Sequence, residues 1–266
     1  VKVLIKIGGT LLDDPASRHE IVRQIAEVAA SGVHVTVVHG GGKQLTRFLE
    51  ERGIPSTFVR GLRVTTEQTI DAVLKVLAGS VNTQLVAALG TAGARAVGLT
   101  GIDAGIADAD QLDPDLGLVG RVTASDTRLL ETLTGAGYLP VIACVARGAQ
   151  GQVYNVNGDS MAVAVASKWG ADCLLFLTDV SGVMNIEKQR IPVLTVEDCE
   201  ALIKTGVASG GMQAKLNAAM DAVNGSVKEV RIVKGSDPEI VMRMFAGEEP
   251  GTRVVLRAVE YTRVNK

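Results

Sequence analysis

Two glycine-rich loops, two lysines and a spaced polar triplet are the residues of this sequence best suited to chemistry on an anion. Lys6-Ile7-Gly8-Gly9-Thr10 closes one apolar run, and His39-Gly40-Gly41-Gly42 closes the next. Glycines at the carboxyl ends of neighbouring strands let successive backbone N–H groups turn toward a phosphate or carboxylate, and a following helix adds its positive end. Each loop alone reads equally well as a tight strand-to-helix turn, and two adjacent loops weigh toward binding. Lys6 shares strand parity with Lys2 and Leu4, which fits either a solvent-facing row on an edge strand or a cation for a phosphate held at Gly8-Gly9. Lys215 lies just inside a helix opened by Ser209-Gly210-Gly211, where a snorkelling surface lysine is the ordinary reading and a second phosphate cation the other. Asn155, Asn157 and Asp159 are spaced i, i+2, i+4. An extended segment would aim all three one way as a ligand-reading edge, whereas a helix start would make Asn157 or Asp159 an N-cap. Thr178-Asp179-Val180-Ser181-Gly182 follows a buried-strand pattern, a place where nucleotides meet open α/β sheets.

Other chemistries lack their signatures. Gly42-Lys43 continues into Gln44 without the spacing of a Walker loop, and Gly135-Ala136-Gly137 runs into Tyr-Leu-Pro instead of the third small residue of a dinucleotide fingerprint. His19, His34 and His39 have no metal-ligand spacing and read as surface or packing residues. Cys144, Cys173 and Cys199 are odd in number and far apart, which suits buried thiols better than disulfides or a zinc site.

The elements that must position these groups follow from periodicity. Runs typical of buried parallel strands recur at Val1–Ile7, Val33–Val38, Arg95–Leu99, Leu139–Cys144, Cys173–Leu177 and Val230–Val233. Between them, Ile21, Ile25, Val28 and Ala29, then Ile70, Val73, Leu74 and Leu77, then Met212, Leu216, Ala219 and Val223 repeat at helical spacing. The alternation predicts an α/β fold: a three-layer αβα sandwich with a mainly parallel open sheet. Phe58–Thr65, Gly101–Thr123 and Arg147–Asn157 read as hairpins added above the ligand-binding edge. There is no low-complexity linker, so residues 1–171 and 172–266 are expected to be lobes of one continuous unit, changing over near Gly170–Asp172.

Composition bounds the partners. Lys plus Arg total 27 against 29 for Asp plus Glu in 266 residues, so no sequence-wide field draws nucleic acid or an anionic membrane. No run of about 18 apolar residues stands out as a membrane span, and a strand pattern starts at once, which makes the cytoplasm the expected compartment.

Taken in order, Lys6-x-Gly8-Gly9, His39-Gly40-Gly41-Gly42, Gly61-Leu62-Arg63-Val64-Thr65, Asn155-x-Asn157-x-Asp159, Asp179-Val180-Ser181-Gly182 and Gly211-Met212-x-x-Lys215 resemble the amino-acid kinase family, over essentially the whole chain. Within it they look like the branch that phosphorylates N-acetyl-L-glutamate in arginine biosynthesis. The resemblance implies that Lys6 and Lys215 stabilise the transferring phosphoryl group and that Asp159 orients them. It implies that Gly41, Gly42, Arg63 and Asn155 bind the acyl amino acid. Gly8 and Gly9, Asp179, Val180, Ser181, Gly182, Val183 and Met184, and Val207, Ala208 and Ser209 are then expected to bind ATP. Mg²⁺ is expected on the nucleotide, with no metal-ligand set in the protein. The amino-acid lobe would be 1–171 and would also carry dimerisation, and the ATP lobe would be 172–266. Gly158 departs from the alanine usual in that position, and the spacing from Asp159 to Asp179 is one residue longer than usual. Members that are hexameric and arginine-inhibited carry an extra helix before the first strand, so a homodimer insensitive to arginine is expected here, with its interface on the Ile70, Val73, Leu74, Leu77 stripe. Two alternatives stand beside this expectation: a kinase for another acylated amino acid, such as N-succinylglutamate or carrier-bound aminoadipate, and a non-catalytic amino-acid sensor.

Overall fold

Apolar runs too short for helices bury themselves by pairing, and the helical-period stretches between them must then cover the sheet on both faces. The computed structural model, which describes residues 1–257, has that architecture. In chain order it begins with β1 (Lys2–Ile7), α1 (Gly9–Asp13), α2 (Pro15–Ala30), β2 (His34–His39), α3 (Gly42–Glu50), β3 (Phe58–Val59) and β4 (Leu62–Arg63). A 25-residue helix, Glu67–Thr91, comes next. It is α4 (Glu67–Val73), widens to π geometry over Leu74–Val81, and resumes as α5 (Asn82–Thr91). Then follow β5 (Ala96–Thr100), β6 (Asp108–Gln111), β7 (Val119–Ala124), α6 (Arg128–Gly135), β8 (Leu139–Ala143), β9 (Val145–Arg147), β10 (Val153–Val156) and α7 (Gly158–Trp169). The remainder is β11 (Cys173–Thr178), β12 (Val193–Thr195), α8 (Val196–Lys204), α9 (Gly210–Asn224), β13 (Glu229–Lys234), α10 (Ile240–Phe245) and β14 (Thr252–Val255).

Eight strands form one sheet in the order β12-β14-β13-β11-β1-β2-β8-β5, parallel except where β14 meets β13. The six expected strands are all present. β12 and β14 are unanticipated additions at one edge, too short at three and four residues for alternation to register. The three expected hairpins also form, as β3–β4, β6–β7 and β9–β10. Two of them close on each other through β7–β10 and β6–β9 contacts into a four-stranded barrel that the sequence pattern does not reveal. Two cores flank the sheet. One joins Leu4, Val38 and Phe176 to Met161, Val165 and Trp169 of α7 and Leu216 and Ala219 of α9. The other joins Ile5, Val37 and Leu175 to Ile21 and Ile25 of α2 and to Val73, Leu77 and Leu85.

That second core corrects an expectation. Ile70, Val73 and Leu77 are buried against the chain's own sheet, with Leu74 packed beside them, so this stripe is unavailable to a second subunit. The helix Glu67–Thr91 is long and apolar enough to cross a membrane by length and composition, but polar and charged residues interrupt it and its apolar side lies in this core.

Candidate active site

The β1 strand lies between β11 and β2, with Lys6 opposite Phe176 on one side and Val38 on the other. A row of exposed side chains is therefore impossible at its centre. Leu4, of the same parity, is fully buried, and the two lysines point to opposite ends of the strand: Lys2 bonds Glu131 and the Trp169 carbonyl, whereas Lys6 reaches the carboxyl edge. There Lys6 Nζ stands 2.7 Å from Asp159 Oδ1, and Lys215 Nζ stands 3.4 Å from Asp159 Oδ2. The three side chains keep 13, 14 and 21% of their surface for Lys6, Asp159 and Lys215. Desolvation alone would raise the Asp159 pKa, but the two ammonium groups outweigh it and hold the carboxyl below the ordinary range. The result is a water-poor cluster of net charge +1, with one cation on each carboxylate oxygen.

The polar triplet splits because the helix starts inside it. Asn155, still in β10, donates from Nδ2 to Thr65 Oγ1 at 3.1 Å. Asn157 is the N-cap of α7, its Oδ1 accepting from the amides of Asp159 (2.9 Å) and Ser160 (3.2 Å). Of the two readings of the triplet, the helix start holds, with Asn157 as the cap: the chain turns there and swings Asp159 toward the lysines. The positive end of α7 also favours the Asp159 carboxylate. Gly158 has a packing reason, because a Cβ there would meet Lys6 Cε at 3.2 Å and Cys144 Sγ at 3.5 Å.

Both glycine loops lie on the same edge. Gly8 and Gly41 are the N-caps of α1 and α3, and neither helix start is capped by a side chain. The loops touch, since a Cβ on Gly9 would lie 3.3 Å from the Gly42 nitrogen. Beside them is a cavity of about 170 Å³ walled by Gly40–Gly42, Phe58, Arg63 and Asn155. Arg63 is buried, and its guanidinium donates to Ser56, to Thr46 Oγ1 (2.8 Å) and to the Gly42 carbonyl (3.2 Å), with the Phe58 ring 4.6 Å away. Burial pulls its pKa down and the charge of Glu50 pulls it back, yet among the described residues it forms no ion pair. A buried cation whose partners are neutral oxygens suits an anionic ligand in the cavity. Thr46 and Ser56, which hold Arg63, carry no sequence signal, because lone hydroxyl residues in a helix or loop are ordinary. Cys144 is also in the wall; burial pushes its thiol up to about 12, and its Sγ donates to the His39 carbonyl at 3.0 Å.

On the other side of Lys6 the loop after β11 carries Asp179, Val180 and Ser181, all exposed. The Thr178 hydroxyl braces its start against the Val180 and Val233 carbonyls. Val183 turns into the core, its amide bonded to Thr252 Oγ1 at 2.8 Å, and Ala208 is buried likewise. Those two positions can meet a ligand only through their backbone. Gly182 has φ +132°, and a Cβ there would lie 2.7 Å from Thr252 Oγ1. Val207 is half-buried and Ser209, the N-cap of α9, is exposed. Met184 is exposed, and Ile186, which sequence reasoning missed, is 81% exposed, so Val180, Met184 and Ile186 give this loop an apolar surface. Among the described residues no group of three or more His, Cys, Asp or Glu side chains converges in metal-binding fashion.

Comparison with known proteins identifies the family. The model of the amino acid kinase family matches residues 1–234. A protein of Solibacter usitatus named acetylglutamate kinase is 58% identical over 255 residues, 96% of this chain and 99% of that one. Among solved structures, N-acetylglutamate synthase from Neisseria gonorrhoeae, complexed with coenzyme A and N-acetyl-glutamate, superposes with a TM-score of 0.86 at 22% identity, covering 97% of this chain and 60% of that one. Carbamate kinase from Giardia lamblia bound to AMP-PNP superposes with a TM-score of 0.73 at 18% identity, covering 96% and 98%. These two share the fold. With its family model spanning most of the chain and a relative alike over nearly both full lengths, the chain belongs to the amino acid kinase family.

Proposed function

We propose that the protein transfers the terminal phosphoryl group of ATP to the γ-carboxylate of N-acetyl-L-glutamate, giving an acyl phosphate in arginine biosynthesis. The observation that carries the reading is the 58% identity, end to end, to a protein named acetylglutamate kinase. The site is consistent with it in chemical terms. A γ-carboxylate has an ordinary pKa near 4.3, so it is already ionised at neutral pH and needs no general base, and among the described residues no His, Asp or Glu lines the cavity. The obstacle is electrostatic, since an anion must approach a polyanion. Lys6 and Lys215 supply positive charge where the phosphoryl oxygens would lie, and Asp159 keeps them apart and aimed. The acyl amino acid is assigned to the cavity by Arg63, Asn155 and the Gly41–Gly42 loop. Gly8 and Gly9, Asp179 to Met184 and Val207 to Ser209 are assigned to the nucleotide, with Val180, Met184 and Ile186 offering an apolar surface for its base.

Bound ATP would supply the phosphoryl group, with Mg²⁺ on its phosphates offsetting their charge. In this reading 1–171 holds the amino acid and 172–266 the nucleotide, though residues 258–266 lie outside the described structure. A cytoplasmic location and a homodimer belong to the same reading. The Ile70–Leu77 stripe is internal and does not supply that dimer's interface, and light scattering showing a monomer would remove the dimer. The function is tested by incubating purified protein with ATP, Mg²⁺ and N-acetyl-L-glutamate, free glutamate or N-succinylglutamate, and trapping the acyl phosphate with hydroxylamine. Hydroxamate is expected with the acetylated substrate, and its absence with every substrate while ATP still binds would replace this reading with a sensor.

A further inference from the structure

His39 and Asn82 have no part in the site as described so far, yet together they touch its central loop from below. His39 is fully buried at the end of β2, and Asn82 is buried at the start of α5, directly after the π turns. The Asn82 Nδ2 group lies 2.9 Å from His39 Nε2, 2.9 Å from the Val141 carbonyl and 3.4 Å from the Leu99 carbonyl. Two carbonyls facing one end of the amide fix which end is NH₂, since the reverse orientation would set oxygen against oxygen. Nδ2 can only donate, so His39 Nε2 must accept, and the ring proton sits on Nδ1. Nδ1 in turn donates to the Gly40 carbonyl at 2.8 Å. Burial keeps the ring neutral, its pKa pulled down to about 4, which preserves this single tautomer.

The Gly40 carbonyl and the Gly41 N–H belong to one planar trans peptide, so they point in opposite directions. Holding the carbonyl toward buried His39 therefore turns the Gly41 N–H away from the core. Gly41 rests on the π turns, for a Cβ there would lie 3.3 Å from Leu77 Cγ and 3.4 Å from Val81 Cγ2. The same helix thus floors the loop and delivers Asn82 to His39. Gly98 of β5 completes the arrangement, since a Cβ at that position would stand 2.2 Å from Asn82 Oδ1.

We propose that Asn82 is a positioning residue for the substrate-binding loop: it fixes the His39 tautomer, which fixes the Gly40 peptide and so aims the Gly41 N–H at the anionic group of the amino-acid substrate. This inference rests on the assignment of N-acetyl-L-glutamate to the cavity, and one arm of its test is independent of that assignment. Long-range ¹H–¹⁵N correlation on the wild-type protein at pH 7, with only three histidines to assign, is expected to show His39 protonated on Nδ1. An Nε2-protonated or doubly protonated ring overturns the proposal whatever the substrate proves to be. In the hydroxamate assay, Asn82→Leu and Gly98→Ala are each expected to raise KM for N-acetyl-L-glutamate about tenfold while leaving KM for ATP within about twofold, the size of a weakened hydrogen bond to a charged group. His39→Asn, whose amide nitrogen stands near the Nδ1 position, should keep more kcat/KM than His39→Gln, whose amide lies near Nε2. Gly98→Ala provides a route to the same readout if Asn82→Leu fails to fold. Equal rises in both KM values, or wild-type kinetics in folded variants, overturn the proposal. A wild-type protein inactive on N-acetyl-L-glutamate sinks the functional reading and leaves the tautomer result standing.

Discussion

Replacing Lys6 by Met keeps the aliphatic stem and removes only the charge, which makes it the sharpest test of the phosphoryl-transfer cluster. Cations beside a transferring phosphoryl group stabilise the charge distribution of the transition state more than that of the bound nucleotide. Removing a single preorganised group of this kind costs on the order of 10² to 10³ in kcat, about 3 to 4 kcal/mol. Lys6→Met is expected in that range, with KM for ATP changing less than about fivefold. Lys6→Arg should rescue poorly for a reason visible in the packing. Lys6 Cε packs against the Gly158 backbone, and a planar guanidinium does not reproduce the point charge of an ammonium held there. The mutation also has a stability cost, because Asp159 would keep only the more distant Lys215 at 3.4 Å. Breaking a largely buried ion pair costs about 3 kcal/mol when one charge is stranded, and the remaining lysine should reduce that figure. The assay is hydroxamate formation at saturating ATP, with urea unfolding alongside to separate lost chemistry from lost fold. A folded Lys6→Met enzyme with wild-type kcat would falsify the assignment of Lys6 to the transition state.

The other expectations concern neighbouring parts of the site. Arg63→Lys should raise KM for the acyl amino acid at least about tenfold and leave that for ATP nearly unchanged, because an ammonium cannot hold Ser56, Thr46 and the Gly42 carbonyl at once; an ATP-specific defect would remove Arg63 from the amino-acid site. The folded-state pKa of Asp159 is depressed, so its stabilising contribution is fully present above the ordinary value of 3.8 and is lost as pH falls through the lower folded value. Urea titrations from pH 7 to 3 should therefore show wild type losing stability more steeply below about pH 4 than Asp159→Asn, and parallel curves would contradict the ion-pair account. Asp159→Asn should also lower kcat by less than Lys6→Met, since it acts through the lysines. All three cysteines are buried, and burial raises each thiol pKa, so native protein should react with a thiol reagent only after unfolding; fast labelling of the native state would show that the Cys144 wall of the cavity opens.

The main strands and the purely local chemistry were legible in the chain before it folded, whereas β12, β14 and the barrel were not. Buried parallel strands are continuous apolar runs, so the six main strands were readable from residue order, as were the two glycine loops, whose backbone freedom belongs to the residue type. Which groups meet was decided by tertiary structure. Lys6 fits a solvent-facing row as well as a phosphate cation until β11 and β2 are placed on either side of it, and those partners come from distant parts of the chain. The direction of Asp159 depends on where α7 begins, which the i, i+2, i+4 spacing by itself leaves open. The Ile70–Leu77 stripe shows the same limit, since an apolar face specifies burial but not against what, and here the chain's own sheet takes it. Asn82 lies 43 residues from His39, and unlike His39 it has no distinguishing local pattern. Their hydrogen bond exists because the π turns and the β2–β8–β5 order bring one buried amide under one buried ring, where each satisfies the other away from water.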